Sequence, residues 1–159
     1  PASAAIVTVP WTRNERAASA GLKTTSYADN VIALAYAKER GAMEAIFANT
    51  RDELCEATGS NIFVVRHGEL WTPPLSSGCL AGVTRELTLE WARDVGVVTR
   101  EEALPMSLAR EVDEVFITST TRDVLAVHRW DDVTYAAPGP LTARLAEVFA
   151  ARSAQDIDP

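Results

Sequence analysis

The feature that most constrains the fold is the way turn residues cut the chain into short apolar runs. Ala4–Val9, Ala45–Ala48, Leu54–Cys55, Asn61–Arg66, Glu69–Thr72, Val97–Glu101 and Val112–Ser119 all read as strands. Each is rich in β-branched or aromatic residues, or bounded by Gly, Pro, Asn or Asp. His67-Gly68 joins two of them as a tight hairpin turn, and Val124–Trp130 with Val133–Tyr135 forms a second hairpin-like pair. Helical stretches are fewer. One runs to Arg40, capped by Asp29 or Asn30 and ended by Gly41; another spans Val83–Val95 and is closed by Gly96. A short one covers Ser107–Glu111, and a last one starts at Pro140 and ends near Arg152. This order has no strict βαβ rhythm, and several strands are hairpin-connected. It predicts an α+β protein with a mixed sheet packed by helices rather than a doubly wound fold.

The 159 residues suffice for one domain with a real core. A net charge of −7 argues against a nucleic-acid partner, which needs clustered Lys and Arg. Lacking a long apolar run, the chain is expected to have no transmembrane helix and no membrane partner. PASAAIVTVP has neither the basic region nor the apolar block of a signal peptide. Cys55 and Cys79 make no disulfide framework, so a cytoplasmic location is expected. The two cysteines, and likewise His67 and His128, are too far apart for a metal-site spacing. His67 reads as an exposed turn residue, His128 as structural, Trp71 and Trp91 as core anchors, and Cys79 as a packing residue.

Four local features carry possible chemistry. Ser76–Thr84 is a glycine-containing loop that opens a helix, which presents free N–H groups and a positive dipole end to an anion. It could equally be an ordinary capped loop. Lys23 and Lys38 are the only lysines. Lys38 suits the last turn of its helix, whereas Lys23 follows apolar Leu22, a neighbourhood that would favour a nucleophilic amine. Glu56 ends the apolar pair Leu54-Cys55; it could be a surface charge or point inward at a basic nitrogen. Thr118-Ser119-Thr120-Thr121 places four hydroxyls at a strand end, fit for an anion or for capping a turn.

Together these residues resemble one family. Glu56-Ala57-Thr58-Gly59-Ser60-Asn61-Ile62-Phe63, then Leu70-Trp71-Thr72, then Leu80-Ala81-Gly82-Val83-Thr84-Arg85 are similar, position by position and in spacing, to the signature of class IV aminotransferases, the fold-type IV pyridoxal-phosphate (PLP) enzymes. The resemblance covers nearly the whole chain. It implies the large, pseudo-barrel domain of the D-amino-acid aminotransferase-like fold. Residues 1–20 would be an interdomain-like segment and first strand, 21–152 the PLP-binding domain, and 153–159 a frayed tail. It further implies a small-molecule amino substrate, a homodimer, and a smaller N-terminal domain that this chain does not contain.

The implied roles follow residue by residue. Lys23 would be the Schiff-base lysine and proton shuttle. Glu56 would pair with the pyridine nitrogen. Leu80 and Gly82 would line the cofactor, while Val83 and Thr84, with Thr120, would hold its phosphate. Tyr27 and Thr121 would face the substrate. Arg13 and Arg16 are not assigned to the phosphate. The run Thr24-Thr25-Ser26-Tyr27 replaces the Gly-Gly-Asn-Tyr of branched-chain aminotransferases and looks more like 4-amino-4-deoxychorismate lyases, which release pyruvate and 4-aminobenzoate. A D-amino-acid or branched-chain transaminase is the alternative. A truncated fragment that binds no PLP is another.

Overall fold

A computed structural model describes residues 2–25 and 27–155. Ser26, within the run that separates the subfamilies, and residues 156–159 of the expected tail lie outside them. The strands are β1 (Ala4–Arg13), β2 (Glu44–Asn49), β3 (Leu54–Ala57), β4 (Asn61–Arg66), β5 (Glu69–Thr72), β6 (Thr99–Glu101), β7 (Glu114–Ser119), β8 (Asp123–Trp130) and β9 (Val133–Thr134). The α-helices are α1 (Ala28–Glu39), α2 (Val83–Asp94) and α3 (Pro140–Gln155), with short 3-10 turns at Leu75–Ser77 and Met106–Arg110.

One mixed sheet runs β3-β2-β1-β8-β7-β4-β5-β6, with β9 hairpinned on β8. β1 lies between β2 and β8 and is parallel to both, whereas β2–β3, β4–β7, β4–β5 and β7–β8 are antiparallel. The α+β expectation therefore holds. Four strands lie between β3 and β4 along the sheet, yet only residues 58–60 connect them. So short a link bends the sheet back on itself as a half-barrel.

Burial on both faces follows from the period-2 alternation of a strand. In β4, Ile62 and Val64 point into the concave core with Ile6, Ile46, Leu54, Val115, Ile117, Val127 and Trp130. Phe63 and Val65 point the other way, onto Phe116 and the apolar faces of α2 and α3, including Leu89, Ala92 and Leu145. The Phe63 and Phe116 rings stack at 4.9 Å. A third cluster seats Ala33 and Ala37 of α1 on Val7, Val9, Ala45 and Phe47. Trp91 is buried and Trp71 half-buried against the core, and both cysteines are unpaired and buried.

Three expectations need correction. The first strand does not stop before Pro10 but continues to Arg13. Pro10 is exposed and falls where the β1–β2 register shifts between Thr8 and Thr12, a break that tolerates a residue without an N–H. Neither Asp29 nor Asn30 caps α1, whose N-cap is Tyr27 without a side-chain cap bond; Asn30 has other partners. The last helix extends past Arg152 to Gln155, and within it Ser153 Oγ donates to Phe149 O at 2.8 Å. Among the described residues, no helix is long and apolar enough to cross a membrane.

Candidate active site

Beside the 58–60 link that joins the end of β3 to the start of β4 lies an open cleft of about 360 Å³. Its walls come from the loop between β1 and α1, the first turn of α1, residues 56–61, the start of α2 and the end of β7. Lys23, Tyr27, Glu56, Leu80, Gly82, Val83, Thr84, Thr120 and Thr121 all line it.

Glu56 enters from β3, pairing across the strand with Phe47 of β2. Its Oε2 accepts the Leu80 N–H at 2.8 Å, and its Oε1 lies 3.2 Å from Arg13 Nε. Burial pushes its carboxyl above the usual range, offset in part by the Leu80 N–H and the Arg13 charge, while Glu44 adds to the rise. Arg13 is itself held in place. Its guanidinium stands 4.2 Å from the Phe47 ring centroid, and its Nη2 donates to Asn30 Oδ1 at 2.9 Å. Asn30 Nδ2 in turn donates to Thr58 O at 2.6 Å. A carboxylate, its cation and an amide from α1 thus form one chain along the floor.

The opposite end is built for an anion. α2 begins at Val83 with Gly82 as an extended N-cap that makes no side-chain cap bond. Gly82, Val83 and Thr84 line the cleft, so the uncapped start of the helix and the positive end of its dipole border it. A Cβ on Gly82 would come within 2.3 Å of Asn61 Oδ1, so only glycine permits this approach of loop to strand. Asn61 locks it by donating Nδ2 to Leu80 O at 2.8 Å. Thr84 is buried in the first turn. Thr118, opposite Asn61 in the β4–β7 register, contributes a buried hydroxyl with no protein partner.

Lys23 stands in the cleft, but not for the reason given by its neighbour. Leu22 is 63% exposed and Lys23 is also exposed, so Leu22 does not desolvate the amine. The loop around Lys23 is instead fastened at its root. The Glu15 side chain accepts Thr50 N–H, Thr50 Oγ1–H and Arg51 Nη1–H at 3.0, 2.7 and 2.9 Å. These bonds, led by the Thr50 hydroxyl, lower its pKa to about 2. His67 and His128 are exposed, and no group of three potential metal ligands occurs among the described residues.

Sequence reasoning missed Glu44 and Arg122, left Arg13 unassigned, read Asn30 only as a helix cap, and named Thr118 only within a run of four hydroxyls. Glu44, the first residue of β2, is 1% exposed and accepts from Thr58 Oγ1, Gly59 N and Ser60 Oγ at 3.0, 2.8 and 2.8 Å. It also pairs with Arg122 Nη1. Only its position ahead of an apolar strand could have flagged it, and that signal also fits a surface charge.

The family model for class IV amino-transferases matches residues 1–130. A probable branched-chain-amino-acid aminotransferase of Synechocystis sp. is 34% identical over 131 residues, 82% of this chain and 43% of that protein. A D-alanine aminotransferase of Listeria monocytogenes is 32% identical over 130 residues, 80% of this chain and 45% of that protein. The crystal structure of the branched-chain amino acid aminotransferase from Thermobaculum terrenum in its PLP form superposes with a TM-score of 0.91 at 30% identity, covering 98% of this chain and 52% of that one. The chain thus spans under half the length of these two sequence relatives.

Proposed function

This chain belongs to the class IV aminotransferase family, and on that premise we propose that it is the cofactor-holding part of a PLP enzyme acting on a small amino substrate. One observation carries the reading: a lysine, a carboxylate set beside an arginine, and an uncapped helix N-terminus flanked by threonines line one cleft. The donor set fits the group, with a proton acceptor for a pyridine nitrogen at one end and N–H and O–H donors for a phosphate at the other. The close approach at Gly82 and the unpartnered Thr118 hydroxyl support the fit.

When bound, the cofactor supplies an electron-accepting ring that stabilises negative charge on the substrate carbon. The chain's own residues do the rest. Lys23 Nζ would be the amine that holds the cofactor and the base that moves the proton at the substrate α-carbon. Glu56 accepts the pyridine N–H, and Leu80 orients Glu56 through its backbone. The Val83 and Thr84 amides, the Thr84 hydroxyl and Thr120 bind the phosphate. Tyr27 and Thr121 face the substrate.

For the outcome of the reaction, the run at residues 24–27 supports pyruvate elimination of the 4-amino-4-deoxychorismate lyase kind. Transamination is the second reading, favoured by the names of the Synechocystis and Listeria relatives. A cytoplasmic location, a homodimer and a further segment that closes the cleft belong to the same proposal. The exposed Leu22 and Val83, which line the cleft, support a cover over it.

Titrating the chain with PLP should produce an absorbance band at the violet edge of the visible range, and Lys23→Ala should abolish it. An unchanged band in that variant would overturn the lysine assignment; no PLP binding by the parent chain would favour the cofactor-free fragment. Pyruvate release from aminodeoxychorismate supports the lyase. Turnover of D-alanine or branched-chain amino acids with 2-oxoglutarate supports the transaminase.

A further inference from the structure

We propose that Glu44 and Arg122 are positioning residues, a clamp that sets the spacing between the pyridine end and the phosphate end of the cleft. The inference rests on the PLP reading above. Neither residue lines the cleft, yet each holds a segment that does.

Glu44 fixes the link at residues 58–60, whose Thr58, Gly59 and Ser60 all donate to its carboxylate. That link begins two residues after Glu56 and continues into Asn61, which holds Leu80. Arg122 sits in the β7–β8 turn, where its N–H donates to Ser119 O at 3.2 Å. Thr120 and Thr121 are therefore enclosed in the same turn and move with it. The Arg122 Nη1 reaches both Glu44 and Ser60 Oγ, the latter at 3.3 Å. Along the sheet, β2 and β7 are separated by β1 and β8. The ion pair instead joins them at the 58–60 link between β3 and β4, which lines the cleft.

A ligand that engages both walls gains from their being held at the right separation. Binding at one end raises the effective concentration of its other end, and that gain falls when the walls move independently. A ligand that touches one wall has no such gain to lose. This separates a spacing clamp from simple damage to one wall.

The experiment compares three probes on the parent chain and on Glu44→Gln and Arg122→Met. The probes are PLP, pyridoxal without its phosphate, and inorganic phosphate, with dissociation constants from absorbance titration and from phosphorus NMR. Thermal unfolding without ligand checks that each variant folds. Arg122 lies in an exposed turn, so Arg122→Met carries the test if Glu44→Gln does not fold. The clamp predicts PLP affinity reduced at least about tenfold in the variants, with pyridoxal and phosphate within about threefold of the parent. Equal losses for PLP and for either single-end probe overturn it, as does unchanged PLP affinity. A parent chain that binds no PLP overturns the functional reading, and the clamp with it. Parent binding matched by both variants overturns the clamp alone.

Discussion

At the scale of single residues, the balance at Glu56 makes a prediction about pH. Burial raises its pKa, and the Leu80 N–H and Arg13 oppose the rise. A raised acid is stabilising in its neutral form. In the empty protein the Glu56 contribution is therefore fully present below its unfolded pKa and lost as pH rises through the higher folded value. Under the proposed PLP reading, cofactor binding has the opposite sign, because a pyridine N–H would need an ionised Glu56 as its acceptor. PLP affinity should accordingly rise with pH through the Glu56 transition. Arg13→Gln removes a charge that favours ionisation, so the rise should move to higher pH. Glu56→Gln should weaken binding, flatten this part of the profile and stabilise the empty protein at neutral pH. Dissociation constants from about pH 5 to about pH 9 read the binding effects, and unfolding without ligand reads the change in stability. That Lys23 and Glu56 share one cleft could be expected from the sequence, because Glu56 opens a spaced signature and Lys23 precedes it. Arg13 could not be placed this way: it lies 43 positions from Glu56, and its partner is decided by how β1, β2 and β3 pair.

Among the elements, the start of α2 was legible from glycine and threonine alone, but its tolerance was not. A side chain on Gly82 meets Asn61 Oδ1 at 2.3 Å, and Asn61 is committed to Leu80 O. Gly82→Ala should therefore push the helix entrance away from β4 at a cost of about 1–3 kcal/mol. Phosphate affinity should fall by at least about fivefold as the start of the helix moves from the cleft. Chemical denaturation and phosphorus NMR measure the two effects separately. The loop that carries Lys23 makes a different prediction. Glu15 has a pKa of about 2, lowered chiefly by the Thr50 hydroxyl and then by the Thr50 N–H. Its stabilising contribution is present above the ordinary carboxylate pKa and lost as pH falls toward about 2. Glu15→Gln should raise hydrogen exchange in residues 14–25 at neutral pH and leave α3 unchanged. The anchor was invisible in sequence because Thr50 and Arg51 belong to a turn between strands that Glu15 joins only in the folded chain.

For the molecule as a whole, the mixed sheet was readable from short runs and hairpin turns, whereas its curl was not. Strand order depends on non-local pairing, and β1 joins β8 across more than a hundred residues. That junction is where the two arms of the sheet meet, one carrying Glu56 and the other the phosphate turn. Trp130 is 1% exposed there, and its Nε1 donates to Thr8 Oγ1 at 2.9 Å. Thr8 Oγ1 in turn donates to Asp131 Oδ2 at 2.7 Å, and Thr8 N to Asp131 Oδ1 at 2.8 Å. Trp130→Ala should cost about 3–5 kcal/mol, a large part of the roughly 5–15 kcal/mol that stabilises a domain. Trp130→Phe keeps most of the packing and loses the hydrogen bond, at about 1–2 kcal/mol. Trp130 does not line the cleft, so a packing role and a binding role make different predictions. With packing alone, Trp130→Phe lowers the unfolding midpoint but keeps the PLP dissociation constant within about twofold of the parent. PLP at about 100 times that constant should then restore about 2.7 kcal/mol to parent and variant alike. A selective loss of this ligand stabilisation in Trp130→Phe would instead mean that the seam, like the Glu44–Arg122 pair, governs the spacing of the cleft.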